Sequence, residues 1–171
     1  MVEIRALPPT DWRLVREVRL RSLRESPQAF TSTYAREKAF DESTWRDRAT
    51  TCRWFAAVED GRAVGVAGGV DGWSDDPGRR ELVGMWVEPA HRGRGISREL
   101  LGAVSDWARS VGATVLSLGV RSSNRDARAA YLRMGLLPAG TTPMVGGDPN
   151  DSIEIMELDL EPPEDADPSP G

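Results

Sequence analysis

Residues 81–101 read ELVGMWVEPAHRGRGISRELL. The mostly apolar run 81–87 has the length and composition of a buried strand, and Pro89 closes it because proline cannot donate to a sheet ladder. A glycine-rich loop follows, Arg92, Gly93, Arg94, Gly95, Ile96 and Ser97, and it opens a helix. In that helix Ile96, Leu100, Val104, Trp107 and Val111 recur at steps of four, four, three and four, so one stripe should face a core, with Gly112 as the stop. A strand, a turn, a glycine loop and a helix in that order make an anion site. The first helical turn leaves N–H groups unpaired at the positive end of the macrodipole, Gly93 and Gly95 let the chain come close to a phosphate, and Arg92, Arg94 and Arg98 add charge.

Two familiar glycine loops are excluded. A dinucleotide fingerprint beginning at Gly93 needs glycine where Arg98 stands, and no Gly-Lys-Ser/Thr of a phosphate-binding NTPase loop occurs in the chain.

Outward from this stretch, helix-like and strand-like patterns alternate as in an α/β domain. Val2, Ile4 and Ala6 alternate as a strand, and Thr10 is the expected cap of a helix reaching Leu23. A second helix is expected over 41–49. The apolar runs 54–58 and 63–67, joined through Asp60-Gly61, predict a hairpin. Downstream, 115–120 reads as a strand, Ala127, Ala130, Tyr131 and Met134 mark the buried face of a helix closed by Gly135, and 153–160 is the last strand. Residues 1–160 form a single expected domain. Residues 161–171 hold four acids, four prolines and no large apolar residue, and are expected to be a solvated, disordered tail.

A second motif lies C-terminal to the loop. Residues 92–97, RGRGIS, resemble the Q/R-x-x-G-x-G/A pyrophosphate loop of the GNAT superfamily of N-acetyltransferases, and Asn124, Ala127, Tyr131 and Gly135 resemble its N-x-x-A-x-x-x-Y-x-x-x-G-F segment. The departures are Ser97, where glycine or alanine is usual, and Leu136 in place of the aromatic. The resemblance implies an α/β (α+β) fold with a mixed, mostly antiparallel sheet of about six to seven strands flanked by about four helices. It implies acetyl-CoA as cosubstrate, with pyrophosphate on the 92–97 loop, the pantetheine arm beside Met85, Trp86 and Val87, and Asn124 and Tyr131 at the cofactor. Glu81 is then the candidate general base for the attacking amine, and Tyr131 the candidate acid for the leaving thiolate. Phe30, Thr31 and Tyr34, between the first helices, are the candidate acceptor contacts. Homodimers are frequent in the superfamily, which leaves a homodimer open here.

Composition narrows the function classes. With 22 basic and 27 acidic residues the net charge is -5, which argues against nucleic acid and anionic membrane as partners. The last eleven residues hold four acids and no base, whereas 88–98 holds three Arg and one Glu, and 121–133 holds four Arg and one Asp. The two segments of the motifs therefore form a basic face suited to a polyanion. A single cysteine, Cys52, and a single histidine, His91, exclude a disulfide framework and a Cys/His metal cluster within the chain, so no metal is expected. A thiol-based pathway would rest on Cys52 with His91, and Cys52 has no nucleophile signature around it; His91 is expected to meet solvent or phosphate. No signal-like or membrane-spanning apolar run is present, and a cytoplasmic location is expected. Asp71, Asp75 and Asp76 in an expected loop over 71–78, with Asp148 and Asp151 in one over 141–151, suggest a cationic small-molecule amine as acceptor; a protein N-terminus or lysine, and a catalytically silent CoA-binding regulatory module, are the alternatives.

Overall fold

The computed structural model describes residues 1–72, 74–144 and 148–160, so the expected tail lies outside the described residues. The chain runs β1 (Glu3–Leu7), α1 (Trp12–Glu25), α2 (Tyr34–Lys38), α3 (Glu42–Thr51), β2 (Arg53–Glu59), β3 (Arg62–Val70), β4 (Arg79–Val87), α4 (Ile96–Ser110), β5 (Val115–Arg121), α5 (Arg125–Arg133), β6 (Leu137–Pro143) and β7 (Ser152–Asp159). The strands form one seven-stranded sheet in the order β1-β2-β3-β4-β5-β7-β6. Only the β4–β5 pair is parallel. The expected sheet is borne out, with five α-helices among the described residues rather than four.

Local chemistry accounts for most boundaries. Asp60 and Gly61 take φ of 51° and 78°, the left-handed pair that matches the twist of a two-residue hairpin turn between β2 and β3. Asp41 caps α3, its Oδ1 accepting from Thr44 N at 2.9 Å. Gly112, at φ 85°, ends α4: its N–H bonds Arg109 O at 3.0 Å and Ala113 N bonds Ala108 O at 2.9 Å, which satisfies two terminal carbonyls.

Three expectations are corrected. Thr10 does not cap α1; a single 3-10 turn, Pro9–Asp11, leads directly into Trp12, with no side-chain cap bond. Val111 leaves the apolar stripe and is 43% exposed, because it follows the last turn of α4; Leu101 and Ala108 complete the buried face. The segment from Thr141, read as a loop, begins inside β6, an exposed edge strand that bonds only β7 and whose two prolines and lack of apolar alternation hide it from a pattern search.

Two apolar layers cover the sheet. Ile96, Leu100, Val104 and Ala108 of α4, with Tyr131 of α5, pack on Phe55, Val64, Ala67, Leu82 and Val87. On the other face Val15 and Val18 of α1 pack on Trp54, Ala56, Val66 and Trp86, and Trp12, Leu20, Trp45 and Ala49 join α1 to α3.

Two irregularities of β4 position the site. Val66 faces Trp86 and Gly68 faces Val83, so β4 spends three steps where β3 spends two. This is a bulge, and Gly84 within it takes φ 65°. On its other side β4 pairs with β5 only through Arg79, Arg80 and Glu81, opposite Val115, Leu116 and Ser117. Beyond Glu81 and Ser117 the two strands have no register with each other, and the sheet opens into a wedge with β4 backbone along one wall.

Candidate active site

The open wedge leads into a cavity of about 540 Å³. Its walls come from Met85, Trp86 and Val87 at the end of β4, from Gly93, Gly95, Ile96, Ser97 and Arg98 at the start of α4, and from Asn124, Ala127 and Tyr131 of α5. Most of the residues singled out in the two motifs are thus brought to one concave surface.

The loop has the expected anion-binding form. Gly93 and Gly95 take φ of 75° and 81°, and a Cβ added at either would meet nothing within 4 Å. Glycine is required there for conformation, and the space above the loop is open to a ligand. Gly95 precedes the first residue of α4 without any side-chain cap bond, so the first amides of the helix lack a capping partner. Arg92 is anchored, its Nε donating to Val87 O at 3.0 Å and its Nη2 to Ser26 Oγ at 3.2 Å, which ties the loop to the end of β4 and to the turn after α1. Arg98 and Arg133 also border the cavity, and Arg98 Nη2 bonds Arg133 O at 3.2 Å.

Arg94 points elsewhere. Its guanidinium holds Glu59 at 2.7 and 3.3 Å, and it does not border the cavity, so only its backbone belongs to the loop surface. Glu59 also accepts from His91 Nε2 at 2.9 Å. The Arg94 hydrogen bond, with His91 adding to it, brings the Glu59 carboxyl down to about 2. His91 Nδ1 lies 3.0 Å from Glu88, although its orientation is not that of a hydrogen bond. The single histidine therefore sits between two carboxylates at the cavity edge, a position its isolation in the sequence did not reveal.

Tyr131 is the deepest of the candidates, 9% exposed, with its ring in the cavity wall. Among the described residues no group hydrogen-bonds its hydroxyl. Burial pushes the phenol pKa upward, so the group keeps its proton. Asn124 is the N-cap of α5, its Oδ1 accepting from Ala127 N at 3.2 Å, and it borders the cavity as well.

Glu81 stands at the closed end of the wedge. It is the last β4 residue paired with β5, opposite Ser117, and it faces Val70 on β3. It is half-buried and lies before the cavity rather than in its wall. The flanking arginines have acidic partners, Arg79 with Glu157 and Arg80 with Asp71 at 3.3 Å.

The acceptor candidates do not line this cavity. Phe30 lies under the Arg19 guanidinium at 4.6 Å, Tyr34 receives a 2.5 Å bond from Arg24 Nη2, which lowers its pKa, and Thr31 is exposed. Ser26, Gln28 and Ala29, just before them, do line it, and neither motif pointed to these three. Cys52 is buried, and the cost of desolvating a thiolate pushes its thiol up to about 12. It is far from the state a nucleophile needs. Among the described residues no group of three His, Cys, Asp or Glu side chains is placed to hold a metal, and no helix is long and apolar enough to cross a membrane.

Comparison with known proteins gives the same picture. An L-amino acid N-acyltransferase of Escherichia coli (MnaT) is 27% identical over 135 residues, covering 69% of this chain and 78% of that protein. An L-methionine sulfoximine/L-methionine sulfone acetyltransferase of Salmonella typhimurium is 28% identical with the same coverage. The fold superposes on the Salmonella typhimurium acetyltransferase yncA, solved with acetyl-CoA, at TM-score 0.73 and 22% identity, over 98% of this chain and 99% of that one. The profile of the Acetyltransferase (GNAT) family matches residues 19–136, a span that holds the bulged strand, the glycine loop and Tyr131. On that match and this fold, the chain belongs to the GNAT family of acetyltransferases.

Proposed function

We propose that the protein transfers the acetyl group of acetyl-CoA to the primary amine of a small molecule by direct attack in a ternary complex. The observation that carries this reading is the continuity of one cavity from the amide-rich loop before α4 to the open edge of β4 and the Tyr131 ring. The names of the relatives, which act on L-amino acids and methionine derivatives, support a small acceptor.

In this reading the loop amides of residues 93–97, with Arg92 and Arg98, hold the pyrophosphate. The pantetheine arm completes the missing strand contact along Met85, Trp86 and Val87. A β4 N–H facing the wedge polarises the thioester carbonyl, and such a donor stabilises a developing oxyanion by on the order of 3 kcal/mol. The neutral amine attacks the carbonyl carbon, Glu81 receives its proton directly or through water, the C–S bond breaks, and the departing sulfur takes a proton from Tyr131. Burial raises the Tyr131 pKa further above working pH, so the phenol meets the sulfur with its proton in place. Asn124 both caps α5 and offers its amide to the arm.

A thiol-detection assay for released CoA across an amine panel, with calorimetry of acetyl-CoA binding, tests this. Turnover of a small amine is the expected result. Binding without turnover of any small or peptide amine would mark a silent CoA-binding module, turnover of peptides alone a protein acetyltransferase, and absence of binding would overturn the reading. Gly95→Glu, which places a charged side chain over the open face of the loop, is expected to abolish acetyl-CoA binding.

A further inference from the structure

A second, smaller cavity of about 170 Å³ lies on the α1 and α3 side of β4, at the bulge, bordered by Arg19, Arg48, Trp54, Val70, Val83 and Gly84. The charges there are unequal. Arg19, 7% exposed, donates to the buried Glu37 through Nε and Nη2 at 3.0 and 2.9 Å, and Arg48 donates to the same carboxylate through Nη1 at 2.9 Å. Two guanidinium ions thus share one carboxylate, which leaves a net positive charge beside the cavity. Among the described residues Nη1 of Arg19 and Nη2 of Arg48 make no hydrogen bond. Arg19 Nη1 lies only 3.7 Å from the point that a Cβ of Gly84 would occupy, so it reaches the bulge itself. The aromatic faces of Phe30 and Phe40, at 4.6 and 5.5 Å, support the two guanidinium groups.

The face is the one that carries Glu81. Residues directly opposite across two strands share a face, and Glu81 is opposite Val70, which borders this cavity. We infer that the Arg19–Arg48 pocket is the acceptor's anion subsite, and that the acceptor is an amino-carboxylate, its carboxylate on the two arginines and its amine toward the wedge. This rests on the acetyl-transfer reading above and names the substrate class within it. An amino-carboxylate fits because one small molecule carries both groups, and Val83 and Gly84 of the pocket lie two and three residues from Glu81 on the same strand. The cationic acceptor suggested by the loop aspartates is not favoured: none of them borders either cavity, and Asp151 is buried against Arg121, Ser122 and Ser123.

The test compares the twenty L-amino acids with their carboxamides and decarboxylated amines, by CoA release and by calorimetry on the CoA-loaded protein. At least one acid is expected to be acetylated with kcat/KM about tenfold or more above its amide, the scale of a lost charge-assisted hydrogen bond. Arg48→Ala is expected to lower the acid-to-amide ratio of kcat/KM about tenfold, through a raised KM for the acid, with acetyl-CoA affinity retained and Arg48→Lys recovering part of the loss. A merely structural role for Arg48 would lower acid and amide alike, and that result overturns the subsite. Amides or amines turned over as well as acids, or no acid bound or acetylated by a protein that binds acetyl-CoA, also overturn it. Loss of acetyl-CoA binding in the unaltered protein is the separate failure that removes the parent reading.

Discussion

Tyr131 shows how one side chain serves two ends. Its ring belongs to the apolar layer under α4, yet no described group bonds its hydroxyl and the ring borders the cavity. Removing only the oxygen should therefore leave the packing intact. Tyr131→Phe is expected to lower kcat on the order of 100-fold with acetyl-CoA affinity within error of the original, as read by stopped turnover and calorimetry. Glu81→Gln should lower the rate most at acidic pH and alter the pH–rate profile; an unchanged profile would remove Glu81 as the base. At this scale the sequence was readable where a residue's job is imposed by its own geometry. Gly93 and Gly95 are of that kind, since a positive φ selects glycine directly. The orientation of Arg94 away from the cavity was not readable, because it depends on Glu59 at the far end of β2. Nor were Arg19 and Arg48 readable, because the carboxylate they share comes from the short helix α2, which the residue pattern does not announce.

Among the elements, β4 carries the most specific demand. A Cβ on Gly84 would lie 3.1 and 3.2 Å from the Trp54 ring, at a backbone φ of 65° that L-residues resist. Gly84→Ala is expected to cost about 3 kcal/mol in urea unfolding, from overpacking and conformation together, and to impair turnover by straightening the bulge. The loop before α4 is fastened differently. Glu59 bridges Arg94 and His91, and its depressed pKa means that the bridge stabilises the fold above the carboxyl's ordinary value and fades as pH falls toward about 2. Thermal unfolding of Glu59→Gln should accordingly fall below that of the original protein at neutral pH, with the gap closing between roughly pH 4.5 and pH 2. The bulge was not locatable from residue order, since a strand's alternation says which residues face in but not where one step is added. Helix α4 was legible almost to the residue because its stripe, its glycine entry and its glycine exit all agree.

For the molecule as a whole, the polarity of charge and the layering explain each other. The basic segments flank the cavity mouth, while the two apolar layers hold α4 and α5 on one side of the sheet and α1 and α3 on the other. The proposed cofactor and acceptor sites thereby have separate approaches to the same strand. The fold class was legible because strand and helix periods alternate along the chain; β6 was not, because an exposed edge strand buries too little to need a pattern.

The wedge also divides the molecule mechanically. Three residue pairs are the whole ladder between the four strands before it and the three after it, the shortest pairing in the sheet, so this junction holds fewer cross-strand bonds than any other. A cofactor seated in the wedge acts as a strut across that junction. Deuterium uptake at the amides of residues 82–87 and 118–121 is therefore expected to slow on adding acetyl-CoA far more than uptake in the β2–β3 hairpin, with unfolding shifted by about 2.7 kcal/mol at a hundredfold excess over Kd.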